Sequence, residues 1–166
     1  MIWIFTAIVF GLLLYTCREP NLARPLTLSA DGVELFPIFD KQAVLQRLPV
    51  GYEFLDYRYS ITGCSLSTFH RDVTSSPFLF KTRHPVYTLI SYGSEGKLLS
   101  VVPGSQASVP FVWGAPRVID STQAKAVLFH CDVLHAGVIS RDPQRLAVQY
   151  KIAHRNELPL LAAVQG

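Results

Sequence analysis

Hydrophobic and polar positions divide this chain into three regimes. Residues 1–17, Met-Ile-Trp-Ile-Phe-Thr-Ala-Ile-Val-Phe-Gly-Leu-Leu-Leu-Tyr-Thr-Cys, carry no charged side chain, and charge begins at Arg18 and Glu19. As a helix rising ~1.5 Å per residue this run reaches roughly 25 Å, near the lower limit for spanning a hydrocarbon core. No Lys or Arg precedes it and it exits through Tyr15-Thr16-Cys17 rather than small residues, which favours an uncleaved transmembrane anchor over a cleaved signal peptide or a buried helix. Trp3 and Tyr15 near its ends suit the membrane interfaces. Arg18 and Arg24 are offset by Glu19, so the side of the membrane stays open.

The second regime, Arg18 to Pro37, holds three prolines and reads as a linker. Asp40 then offers an N-cap, Ala43, Val44 and Leu48 recur at helical spacing, and Pro49 stops the element, giving one short helix over about 41–48. From Tyr52 onward the period changes to two. Tyr57, Tyr59 and Ile61 alternate with Arg58, Ser60 and Thr62, and strands follow over Val86–Tyr92, Leu98–Val102, Ala126–Phe129 and Leu146–Ile152, punctuated by Gly and Pro. Short strands without a βαβ rhythm predict a mainly β sandwich or jelly roll with one covering helix. The expected layout is an anchor at 1–17, a linker at 18–37 and one domain at 38–166.

Composition supports a packed domain: among 166 residues 49% are apolar and 16% charged, enough to bury a core. The net charge of +3 is small and no Lys or Arg run exists, so nucleic acid is not an expected partner. Cys17, Cys64 and Cys131 give an odd count at unrelated spacings, which indicates neither a disulfide framework nor a zinc knuckle. No G-x-S-x-G elbow occurs, which argues against a serine hydrolase.

Candidate chemistry lies in Phe69-His70-Arg71-Asp72 and Leu134-His135-Ala136-Gly137. In a strand, residues two apart share a face, so His70 and Asp72 can converge on one ion while Arg71 points away, with His135 arriving from another strand. Two imidazoles and a carboxylate form the facial set of non-haem Fe(II) oxygenases, leaving positions open for a co-substrate and O2. His130-Cys131-Asp132 is a second H-x-D, but only His154 follows it, too near for more than one hairpin to intervene. The first pair is the better candidate.

The order H-x-D, Gly96-Lys97-Leu98-Leu99-Ser100-Val101-Val102-Pro103-Gly104-Ser105-Gln106, His135-Ala136-Gly137 and Arg145 resembles the 2-oxoglutarate/Fe(II)-dependent dioxygenases over roughly residues 50–153. The G-x-x-L-x-x-V-P-G-S run is most similar to the phytanoyl-CoA dioxygenase branch, where His usually stands in place of Gln106; the prolyl hydroxylase branch is second. This resemblance implies a double-stranded β-helix in which His70, Asp72 and His135 hold iron and Arg145 binds the distal carboxylate of 2-oxoglutarate, with hydroxylation of a substrate and release of succinate and CO2. Arg suits that role, because its planar fork meets a carboxylate with two donors and keeps its charge when buried. Leu146, Val148, Tyr150 and Ile152 would then face one way and Arg145, Ala147 and Gln149 into the barrel. Tyr87, Thr88 and Tyr92 are further candidates for contact with 2-oxoglutarate.

The expected protein is a membrane-anchored, single-pass oxygenase acting on a lipid, a protein or a small molecule. A catalytically inactive jelly-roll binding module is the alternative, and a cupin-like iron enzyme that does not use 2-oxoglutarate is the third reading. His84 stays unassigned, His130 is expected to be packed and neutral, and Pro103-Gly104-Ser105 to be a structural turn. Loops over Thr74–Lys81 and Ala107–Val118 would select the substrate.

Overall fold

The computed structural model describes residues 24–63, 68–75, 80–109, 114–140, 142 and 144–164, together with residues 4, 6 and 8. Among them, a short helix α1 (Leu28–Asp31) and strand β1 (Val33–Phe36) precede helix α2 (Lys41–Leu45). Strands β2 (Tyr52–Thr62), β3 (Tyr87–Tyr92), β4 (Lys97–Val101), β5 (Arg117–Asp120), β6 (Ala126–His130), β7 (His135–Gly137) and β8 (Leu146–His154) follow. They form a five-stranded sheet in the order β1-β6-β3-β8-β2 and a three-stranded sheet in the order β5-β4-β7. Every pairing is antiparallel, giving a mainly β, jelly-roll-like architecture.

The period-two pattern sets the faces. Ile90, Tyr92, Val127, Phe129 and Ala147 of the large sheet join Leu99, Val101 and Ile119 of the small one in a core cluster between the layers. The alternate residues Leu89, Leu128 and Ile152 build a second cluster on the outer face with Val44 and Leu48. Helix α2 therefore covers the large sheet, as its apolar spacing predicts. Its start is capped by Asp40, whose Oδ1 accepts from the backbone N–H groups of Gln42 at 2.8 Å and Ala43 at 3.4 Å.

Two expectations change here. The single-pass membrane assignment is corrected: among the described residues no helix is long and apolar enough to cross a membrane. Helices α1 and α2 hold four and five residues, a few ångströms each against a hydrocarbon core of about 30 Å. The anchor expected at 1–17 falls outside the described residues, apart from positions 4, 6 and 8. Part of the proline-bearing lead-in is built into the domain, because β1 pairs with β6 from Val33 opposite Phe129 to Phe36 opposite Ala126.

Substituting Leu128→Ala, whose side chain is fully buried in the outer cluster beneath α2, is expected to cost about 2–5 kcal/mol in urea denaturation. Asp40→Ala loses a single cap and should cost only about 1 kcal/mol.

Candidate metal centre

His70 and His135 are brought together by the backbone. The His70 N–H donates to the His135 carbonyl at 2.9 Å and the His135 N–H donates back to the His70 carbonyl at 3.0 Å, a reciprocal antiparallel bridge beside β7. Residues paired this way present their side chains on one side, and the two imidazole centroids stand 4.4 Å apart. Asp72 arrives on the same face and is fixed by its own N–H, which donates to the Cys131 carbonyl at 2.9 Å. One donor atom from each of His70, Asp72 and His135 lies within 4.8 Å of the other two, and His135 Nε2 is 3.9 Å from Asp72 Oδ1.

Hydrogen bonds select the donor atoms. His70 Nδ1 is 2.8 Å from the Thr68 carbonyl and His135 Nδ1 is 3.0 Å from the Val133 carbonyl. A carbonyl only accepts, so each Nδ1 carries the proton and each Nε2 keeps its lone pair for a cation. Burial holds the His135 imidazole below the usual histidine range, which keeps it neutral. Burial alone would push the Asp72 carboxyl up, but the Lys151 ammonium, with hydrogen bonds from Lys151 and Thr88, holds it below the usual carboxylate range. Two imidazoles offered through Nε2 and one anionic carboxylate can hold a divalent metal ion.

Arg71 points away and performs a different task. Its Nε donates to the Asp132 carbonyl at 2.7 Å and its Nη2 to the Ser105 carbonyl at 3.0 Å. Ser105 is itself a junction, with Oγ donating to the Val102 carbonyl at 2.6 Å and accepting from the Leu134 N–H at 2.8 Å. The Pro103-Gly104-Ser105 turn is thus structural, clamping the residues that precede His135 to those that carry His70 and Asp72. Gly104 is required there by its φ of 79°, a left-handed backbone that side chains disfavour.

Arg145 is 4% exposed and lines the same cavity of about 310 Å³ as His70 and His135, together with Tyr92, Ala147 and Gln149. Its Nη1 donates to the Val138 carbonyl and its Nη2 to the Leu98 carbonyl at 2.8 Å, which fixes the guanidinium plane. The inward set expected for the last strand is observed, with Val148, Tyr150 and Ile152 on the other face. Of the three further candidates, only Tyr92 lines this cavity, where burial raises its phenol and keeps it neutral. Tyr87 packs in the outer cluster, and Thr88 donates to Asp72.

Lys151 was not anticipated. It is 4% exposed, and Nζ donates to Asp72 Oδ2 at 2.7 Å and to Thr88 Oγ1 at 2.8 Å. The available signal was its place two residues beyond Gln149 on the inward face of a buried strand, where an unpaired ammonium would be costly. The second H-x-D does not converge with His154, which stacks on His84 at 4.1 Å while His84 Nδ1 meets Glu157 at 2.6 Å.

No protein-family profile matches the chain, and no curated protein matches it. Among solved structures, the non-heme alpha ketoglutarate dependent epimerase SnoN from nogalamycin biosynthesis superposes with a TM-score of 0.52 at 17% identity, covering 68% of this chain and 51% of its own. EvdMO1 superposes with a TM-score of 0.53 at 14% identity, covering 69% of this chain and 30% of its own. The chain shares their fold. It spans about half the length of SnoN and less than a third of EvdMO1.

His130 generates a pH prediction. Burial lowers its imidazole to about 4, and Nδ1 accepts from the Asp132 N–H at 3.0 Å, so the folded protein keeps the ring neutral. Between about pH 6.5 and 4 the unfolded chain binds more protons there, so stability falls as pH falls through that window. His130→Gln is expected to flatten this fall, by up to roughly 3 kcal/mol, in urea melts at pH 7 and pH 4.

Proposed function

We propose that this chain is an Fe(II)/2-oxoglutarate-dependent oxygenase. The observation that carries the reading is the convergence of His70, Asp72 and His135, each histidine with Nδ1 engaged by a carbonyl and Nε2 left as the donor atom, beside a cavity lined by His70, His135 and Arg145. The donor set fits a non-haem iron ion, and a facial arrangement of three protein ligands leaves room for two oxygen atoms of a chelating co-substrate and for O2. When bound, Fe(II) with 2-oxoglutarate and O2 supplies the oxidising chemistry, yielding succinate, CO2 and by default a hydroxylated substrate.

The protein's own contribution is orientation. Arg145, held by the Val138 and Leu98 carbonyls, is placed to receive the distal carboxylate of 2-oxoglutarate, and the neutral Tyr92 phenol lines the same cavity as a second donor. Ile90, Leu99 and Ala147 give the cavity apolar walls that exclude water from the co-substrate's methylene groups. SnoN, which shares the fold, is an alpha ketoglutarate dependent enzyme, in keeping with this assignment. The Val102-Pro103-Gly104-Ser105 turn supports the phytanoyl-CoA dioxygenase-like branch. Gln106 departs from that branch, and it packs against Ala30 and Gly32 outside the metal cavity, where it leaves the triad unaltered. An inactive module would have no need of two tautomer-fixed histidines beside a carboxylate held by Lys151 and Thr88. A cupin-like enzyme without 2-oxoglutarate would have no use for Arg145 in this cavity.

Fe(II) and 2-oxoglutarate added anaerobically to the protein should produce the weak visible charge-transfer absorption of the chelate. His135→Ala should abolish it, and Arg145→Ala should weaken 2-oxoglutarate binding about ten- to hundredfold, the equivalent of roughly 1.5–3 kcal/mol. Metal-loaded protein that gives neither this absorption nor succinate in air would overturn the assignment.

A further inference from the structure

We propose that Lys151 is a positioning residue for the metal centre: with Thr88 it occupies Asp72 Oδ2, so that the carboxylate offers the ion a single oxygen, Oδ1. This inference rests on the iron assignment above and concerns how the third ligand is presented.

The two oxygens of Asp72 have separate surroundings. Oδ2 receives the Lys151 ammonium at 2.7 Å and the Thr88 hydroxyl, while Lys151 also donates to Thr88 Oγ1 at 2.8 Å, closing a triangle of hydrogen bonds. Oδ1 is the oxygen turned toward His135 Nε2, at 3.9 Å. Thr88 and Lys151 reach the same oxygen because they sit directly opposite each other where β3 pairs with β8. On the other side of β8, the register of β2 slips between Phe54 and Arg58, a bulge that lies opposite Lys151.

Stability alone does not account for this arrangement. Burying an ammonium and a carboxylate together costs desolvation that their attraction only partly returns, and apolar residues of similar volume often serve as well or better. Asp72 could meet its needs with Thr88 and the metal. The added ammonium has two consequences at the ion. It competes with the metal for the carboxylate's charge, which weakens metal binding, and it prevents Oδ2 from swinging round as a second ligand. A carboxylate bound through one oxygen leaves one more position for the oxygens of 2-oxoglutarate, and the extra positive charge favours a dianionic co-substrate. The buried thiol Cys131, with Sγ 3.8 Å from Nζ and 3.3 Å from Thr88 Oγ1, closes the far side of the cluster.

The test uses the full chain with Co(II) as a spectroscopic substitute for iron, comparing wild type with Lys151→Met, Thr88→Val and Thr88→Ser. Lys151→Met is expected to bind Co(II) about tenfold more tightly, to bind 2-oxoglutarate about tenfold more weakly once loaded, and to show an altered Co(II) visible spectrum, effects in the size range of changes to partners of metal ligands. Thr88→Val should move all three in the same direction by less, and Thr88→Ser should restore wild-type values. These opposed shifts distinguish positioning from general damage, which weakens both affinities together. Co(II) and 2-oxoglutarate affinities and a spectrum unchanged in Lys151→Met, or both affinities weakened in parallel, would overturn the role of Lys151 and leave the iron assignment standing. If Lys151→Met does not fold, Thr88→Val decides by the same criteria. Wild-type protein that binds no Co(II) would instead overturn the iron assignment itself.

Discussion

The reciprocal backbone bridge between His70 and His135 is the constraint on which the rest of the site depends. It sets two imidazoles side by side without asking any side chain to do so, and the carbonyls of Thr68 and Val133 then fix both rings in the same tautomer. Once that bridge is in place, alternation along the chain carries Asp72 to the same face. The third donor is fixed in turn by its N–H to the Cys131 carbonyl.

Holding the bridge in register requires support from outside the triad. Arg71, which alternation points away from the metal donors, reaches the carbonyls of Asp132 and Ser105, and Ser105 in turn holds the Leu134 N–H. Segments far apart in sequence are thereby riveted together just before His135. The Pro103-Gly104-Ser105 turn serves the site by hydrogen bonding rather than by chemistry.

Charge is distributed along the inward face of β8 and the residue before it. Arg145 and Lys151 sit at opposite ends of the alternating set 145, 147, 149 and 151, each buried and each compensated differently, the first by carbonyls and the second by Asp72. Gln149 and Ala147 between them line the cavity. One strand and the residue before it therefore supply the cation proposed for the co-substrate's far end and the cation that meets Asp72.

The sequence by itself determined the elements that depend on local pattern: the Asp40-capped helix, the strands expected at 86–92, 126–129 and 146–152, each found within two residues of those bounds, and the side of the last strand that looks inward. It also named His70, Asp72 and His135, which come together, and Arg145, which lines a cavity with the two histidines, because H-x-D spacing and strand alternation are local facts. Only the tertiary structure decided that β1 joins the large sheet from a segment rich in proline, that Thr88 serves Asp72 while Tyr92 faces the cavity, and that Lys151 completes the cluster. Those outcomes follow from which strands become neighbours and in what register. A hydrogen bond between residues 72 and 151 leaves no trace in the local period of either segment, since it is created by the pairing of β3 with β8 and by the turn that carries Asp72 over them.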